Sequence, residues 1–281
     1  MNSHRVQRRV ILTLEYVFCV VLTLLVLVPL YISVMGGLKS QGQLMLDPLG
    51  LPSPAYFNQY SDLLVGKVGT FWQSLVNSLV VAAGTVALTL AVGTLAAFAL
   101  ARLKFRGNGV FFNYFMLGLL FPLAVAILPL YLQIRNVGLL DNYLGVILPQ
   151  VAFAIPMTVL LLRGFFLSIP VDLEDACSID GYGPLGFLFF MVLPLSTPIL
   201  ATTAVLALIG SWNNFFLPLL VFNKESLFTL PLGVMNFQGQ HASDWQLILG
   251  YLTLVMLPAI VLFITAQRYI VAGLTGGAIK G

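Results

Sequence analysis

Two sets of side chains in this sequence have types and spacing suited to recognition, and neither forms a catalytic or metal-binding constellation. The first is acidic and compact. Asp172, Glu174, Asp175 and Asp180 all fall in the stretch Ser168 to Pro198, reading SIPVDLEDACSIDGYGPLGFLFFMVLPLSTP. Carboxylates beside the small residues Ala176 and Cys177 suit docking to a protein partner, because the charges meet basic groups while the small side chains allow close approach. The second set is neutral: Asn77, Gln150, Trp212, Asn213, Asn214 and Tyr251 lie in otherwise apolar runs. Neutral amides can hydrogen-bond a polar ligand and aromatic faces can pack against one. The competing use of such amides is to tie helices together. No nucleotide-binding loop is present: the nearest stretch, Gly36 Gly37 Leu38 Lys39 Ser40, has Leu where the phosphate-cradling loop needs its second Gly. Cys19 and Cys177 imply no disulfide framework.

The elements that carry these residues must be membrane helices. Of 281 residues, 59% are hydrophobic and 8% charged, against about 25% charged in a soluble domain. Six runs reach the roughly 20 apolar residues a span needs: 10–35, 71–101, 109–133, 143–167, 197–222 and 245–270. The first is longer than a signal-peptide core and lacks a small-residue cleavage pattern, so it reads as an uncleaved span. Transmembrane strands would alternate in segments of about ten residues, whereas these runs are continuously apolar. The expected fold is therefore an all-α membrane protein of six transmembrane helices with a short helix between spans four and five. Residues 1–9 form an amino end and 10–281 a single transmembrane domain. Arg5, Arg8, Arg9, Arg102, Lys104, Arg106, Arg163, Arg268 and Lys280 share one side, against Lys39, Lys67, Arg135 and Lys224 on the other. That excess places both termini in the cytoplasm.

Prolines 122, 129, 149, 156, 218 and 258 lie inside these spans, where each removes a backbone hydrogen bond and can kink its helix. At 1.5 Å per residue, Asn77, Gln150 and Tyr251 sit roughly 9 to 10 Å below the outer start of their spans, and Asn213 and Asn214 roughly 24 to 26 Å from the inner start of theirs, all in one outer layer. Ion-coupled carriers hold ionisable groups at mid-membrane depth, but the spans are nearly bare of them. The energy source for any transport then lies elsewhere. An ion-coupled secondary carrier and a non-transporting membrane scaffold are the alternative readings.

Within the acidic stretch, Pro170 suits the start of a short helix, and Asp172, Glu174 and Asp175 complement its dipole. Gly181 and the Gly183 Pro184 pair stop it. Leu173, Ala176 and Cys177 recur at i, i+3 and i+4, predicting one small apolar face for a partner's groove. The competing reading, a connector on the lipid surface, fits poorly with its acidity, since anionic headgroups attract basic segments.

This segment resembles the permease subunits of binding-protein-dependent ABC importers. Their signature is EAA, three residues, G, nine residues, then IxLP. Here Asp175 Ala176 Cys177 is followed after three residues by Gly181, and after nine more by Met191 Val192 Leu193 Pro194, so the spacing holds over twenty residues. Asp replaces Glu, Cys the second Ala, and Met the Ile. Glu174, Ile179 and Asp180 fit the sugar-importer version, with Tyr182 in place of Ala. The likeness extends over almost the whole chain and is closest to the maltose-type carbohydrate permeases, the shorter of their two permease subunits. Phe57 Asn58 Gln59 Tyr60, Phe71 Trp72, Asn77 Ser78, Ser211 Trp212 Asn213, and the end from Gln267 to Gly281 carry it. The resemblance implies a second permease as heterodimer partner, two ATPase subunits that bind ATP and Mg, and an external sugar-binding protein. It implies no enzymatic activity and no cofactor in this chain, and a bacterial or archaeal cytoplasmic membrane. Glu174, Asp175, Ala176, Cys177, Asp180, Gly181, Leu193 and Pro194 would couple to the ATPase, and the tail residues Gly277, Lys280 and Gly281 would contact it.

Overall fold

The computed structural model describes residues 2–239 and 243–276, with side chains described for 11–239 and 243–268. In chain order its helices are α1 (Asn2–Gly36), α2 (Gln41–Leu46), α3 (Asn58–Val65), α4 (Phe71–Arg102), α5 (Asn108–Gly118), α6 (Leu123–Asn136), α7 (Tyr143–Ser168), α8 (Val171–Ile179), α9 (Pro184–Phe187), α10 (Leu193–Leu195), α11 (Thr197–Trp212), α12 (Phe216–Val221) and α13 (Trp245–Gly276). A π-helical turn, Leu188–Val192, joins α9 to α10. Among the described residues there is no strand, only an isolated bridge between Gln238 and Ser243. Among the described residues four helices are long and apolar enough to cross a membrane, and up to six crossings result if each of two bent pairs is one span.

The bent pairs correct two of the expected straight spans. Residues 109–133 are α5 and α6, turned by 98°. Pro122 is the cause at the break: it caps α6 in an extended conformation, and a proline both lacks an N–H and keeps its predecessor out of the α region. Pro129, by contrast, is carried inside α6. The expected span 197–222 ends early at Trp212, and α12 begins afresh at Phe216. Asn214 Oδ1 accepts the Leu217 N–H at 3.0 Å, satisfying a donor the broken ladder leaves free. On its other side α11 meets the arm Pro184–Leu195 at 80°.

The chain divides into two compact units, with α13 split between them. The first comprises 1–71 and 234–258. Every α1 side chain from Ile11 to Tyr31 is exposed, an apolar surface that only lipid or another apolar partner can cover. Beyond α1, Ser40 and Gln43 form a reciprocal capping box on α2. Lys39, 1% exposed, donates its ammonium to the carbonyls of Asp47 at 2.6 Å and Pro48 at 3.2 Å, so the lysine of the glycine-rich stretch serves loop folding. The Tyr60 hydroxyl donates to Val34 O at 3.0 Å. Burial pushes its phenol above the ordinary value, opposed by a hydrogen bond with Thr253.

The second unit comprises 72–233 and 259–281. Here α4 and α7 approach closely at Gly93, where a Cβ would sit 2.6 Å from Thr158 Cγ2. Small residues at such contacts let membrane helices pack through their backbones. Toward the far end of both helices lies a continuous apolar core: Ala97 and Phe98 of α4, Leu162 and Phe166 of α7, Cys177 of α8, Phe187, Leu188 and Val192 of the arm, and Ile199 of α11.

Candidate functional site

The acidic stretch folds as expected and faces differently. Helix α8 runs Val171–Ile179, with Pro170 at its N-cap and Asp180 at its C-cap. Gly181 takes φ +85°, a left-handed conformation that costs most other residues about 1–2 kcal/mol. Leu173, Ala176 and Cys177 do not form one outward face. Cys177 is buried and Leu173 packs against the same apolar core, whereas Ala176 is exposed together with Val171, Asp172, Asp175, Ile179 and Asp180. The inward residues seat the helix on its own chain, because the apolar core beneath it outcompetes solvent for Leu173 and Cys177. Glu174 is likewise turned to its own chain: its carboxylate lies 3.4 Å from Arg102 Nη1. Leu193 packs on the core from α10, and the neighbouring Pro194 is exposed.

Arg102 is the residue that inspection of the sequence assigned only to a charge count. Its side chain is 6% exposed, and Nη2 donates to Phe166 O at 2.6 Å and also to Ile169 O. Its guanidinium carbon lies 5.8 Å from the Phe187 ring centre. The readable signal was its position, the last residue of a long apolar helix, where a charge must either reach water or find partners.

The neutral set is dispersed. Gln150 and Asn214 line one cavity of about 290 Å³, together with Thr85, Phe153, Thr203 and Ser211. Gln150 Oε1 accepts from Thr85 Oγ1 at 2.9 Å and from Ser211 Oγ at 2.6 Å, joining α4, α7 and α11 at one point. Its Nε2 is buried without a partner among the described residues, and such a donor is costly unless something accepts from it. Among the described residues no ionisable side chain lines this cavity. It can hold a neutral group that brings acceptors to the amide and a nonpolar face to Phe153.

Trp212 and Asn213 line a separate hollow of about 110 Å³ against Ala259, Leu262, Phe263 and Ala266. Asn77 is 0% exposed and fully engaged. Its Nδ2 donates to Ser226 O and Phe228 O, both at 2.9 Å, while Oδ1 accepts from Gln73 at 3.0 Å and from the Tyr143 hydroxyl at 2.7 Å. Its place is a latch holding the segment after α12 to α4 and α7, with nothing spare for a passing hydroxyl. Tyr251 belongs to the first unit, 1% exposed, with ring centres of Phe237 at 5.3 Å and Phe71 at 6.1 Å. The depth reckoning for Asn77, Gln150, Asn213, Asn214 and Tyr251 assumed straight spans, whereas α11 ends at Trp212, before Asn213 and Asn214, and the amide of Asn77 is already engaged. Gly277, Lys280 and Gly281 lie outside the described residues.

The chain is 32% identical over 276 residues to the arabinooligosaccharides transport system permease protein AraQ of Bacillus subtilis (strain 168), covering 97% of this chain and 96% of that protein. It is 35% identical over 233 residues to the trehalose transport system permease protein SugB of Mycobacterium tuberculosis (strain CDC 1551 / Oshkosh), covering 82% and 84%. A chain in the crystal structure of a bacterial ABC transporter involved in the import of the acidic polysaccharide alginate has the same fold, with a TM-score of 0.79 at 24% identity over 93% of this chain and 96% of that one. Residues 89–276 match the family described as binding-protein-dependent transport system inner membrane component. That match takes in the cavity helices α7 and α11 and the whole of α8 with its motif, and the chain belongs to this family of ABC importer permeases.

Proposed function

We propose that the chain is one of two unlike permease subunits of an ATP-driven carbohydrate importer, forming half of the translocation pathway. The observation that carries this reading is the presence, on one unit, of an uncharged amide-lined cavity and of a motif helix with an exposed acidic face. The cavity around Gln150 and Asn214 has the chemistry of a sugar, with hydrogen bonds for hydroxyls and Phe153 for a ring face. The sequence likeness to AraQ and SugB, whose names specify sugar transport, supports the same substrate class.

Under this reading the chain crosses the bacterial or archaeal cytoplasmic membrane six times, each bent pair counting once, as a single transmembrane domain with both termini inside. The distribution of basic residues supports that orientation. Helix α8 docks on a separate ATPase that holds ATP and Mg. Asp172, Asp175 and Asp180 offer charge, and Val171, Ala176 and Ile179 offer a close apolar contact. Glu174 and Cys177 act from behind, by orienting the helix. Gly181 turns the chain back, Leu193 and Pro194 lead it into α11, and the tail ending in Gly277, Lys280 and Gly281 adds to the ATPase contact. The external partner is a sugar-binding protein that delivers ligand to the outer mouth.

The test is to purify the chain with its co-purifying subunits, reconstitute the complex, and measure ATP hydrolysis against candidate binding proteins and a panel of neutral sugars. Stimulation by one sugar with its binding protein supports the reading. Hydrolysis indifferent to every binding protein and sugar, or no ATPase in the complex, contradicts it.

A further inference from the structure

We propose that Arg102 is the positioning residue that makes α8 move with the transmembrane helices, a role resting on the docking of α8 proposed above. Three elements meet at this one guanidinium. Arg102 ends α4; Nη2 donates to the carbonyls of Phe166 and Ile169, in and just after the last turn of α7; and Nη1 reaches Glu174 of α8 at 3.4 Å. The last carbonyls of a helix lack intrahelical partners and carry its negative dipole end, so the cation caps α7 while holding α8. The Phe187 ring, 5.8 Å away, closes another side. Leu173 and Cys177 also hold α8 down, but the hydrophobic effect is non-directional. The guanidinium fork fixes direction.

The chemistry requires arginine. A planar fork presents donors to two carbonyls and a carboxylate at once, whereas an ammonium is a point charge on a flexible stem. The link also leads somewhere. On α4, Thr85 hydrogen-bonds Gln150 in the cavity, about 25 Å from Arg102 at 1.5 Å per residue. A displacement of α8 that drags Arg102 therefore pulls on the helix that helps to shape the cavity.

The test uses the complete reconstituted transporter, with uptake per ATP hydrolysed compared at equal assembled amounts. Spin labels at the exposed positions Leu103 and Ser178, neither of them assigned to the docking face, report the placement of α8 against α4. Arg102→Met is expected to assemble with the ATPase, because the outward face of α8 is untouched, yet to lose about fivefold or more in uptake per ATP, the lower end of typical inter-site coupling. The label distances should broaden. Arg102→Lys should recover folded yield without recovering coupling, a split that a purely structural role would not produce. Glu174→Gln, which leaves the cation and its carbonyl bonds in place, should shift coupling in the same direction by a smaller factor, and reports the link even where Arg102→Met fails to fold. Wild-type coupling and label distances in folded Arg102→Lys and Glu174→Gln overturn the proposal. A wild-type complex that forms with an ATPase but moves no sugar overturns the parent reading instead, and the clamp's role with it.

Discussion

Asn77 and Gln150 are both buried amides in apolar helices, and their hydrogen bonds give them opposite expected phenotypes. Asn77 uses both donors and accepts twice. Asn77→Ala therefore removes four part-buried hydrogen bonds, each worth about 0.5–1.5 kcal/mol net, and should lower the thermal stability of the purified complex while leaving its apparent sugar affinity nearly unchanged. Gln150 keeps a free donor at the cavity. Gln150→Leu and Asn214→Ala should change apparent sugar affinity by about 5- to 150-fold, the equivalent of one lost buried hydrogen bond at about 1–3 kcal/mol. Transport assays across a sugar concentration series check this. If both variants lose only folded yield, the cavity residues are bundle ties. Residue type was legible in the sequence at all these positions. Which amides are already saturated was not, because Asn77 finds its partners 149 and 151 residues away in Ser226 and Phe228.

Helix α8 shows what local pattern fixes and what it leaves to packing. Pro170 and Gly181 bound it, and those limits follow from φ restrictions that any chain obeys. Its facing is a tertiary outcome: apolar residues at i, i+3 and i+4 group together on paper, but the core of α4, α7 and the arm selects Leu173 and Cys177 and leaves Ala176 outside. The exposure of Ala176 predicts that Ala176→Trp leaves the permease folded and inserted while reducing ATPase co-purification. Gly181→Val should instead cost about 1–2 kcal/mol of local strain at a position where nothing lies within 4 Å of the added Cβ, so the defect is conformational and not steric. Co-purification and melting curves of the two variants separate these mechanisms. The bends follow the same logic. Six prolines were readable inside the spans, yet Pro122 stands at a break and Pro129 is carried inside α6, so residue type alone does not say which proline ends a helix.

For the whole molecule, apolar run length carried the all-helical architecture, since lipid imposes helices, while the basic residues supply the expected sidedness. Single cysteines placed in 36–70, 134–142 and 223–239 should label from outside, and those in 102–108 and 168–194 only after permeabilisation. External labelling of 168–194 would invert the arrangement and separate α8 from any cytoplasmic ATPase. Deleting 273–281 should leave insertion intact and weaken ATPase retention on a size-exclusion column. The decisive measurement is uptake of labelled sugar into proteoliposomes containing this permease, its companion subunits and the binding protein. Accumulation should require ATP on the ATPase side and should vanish when the ATPase is withheld. Accumulation by this chain without any ATPase, or ATP hydrolysis by the full complex with no sugar movement for any stimulating ligand, would contradict an ATP-driven carbohydrate permease.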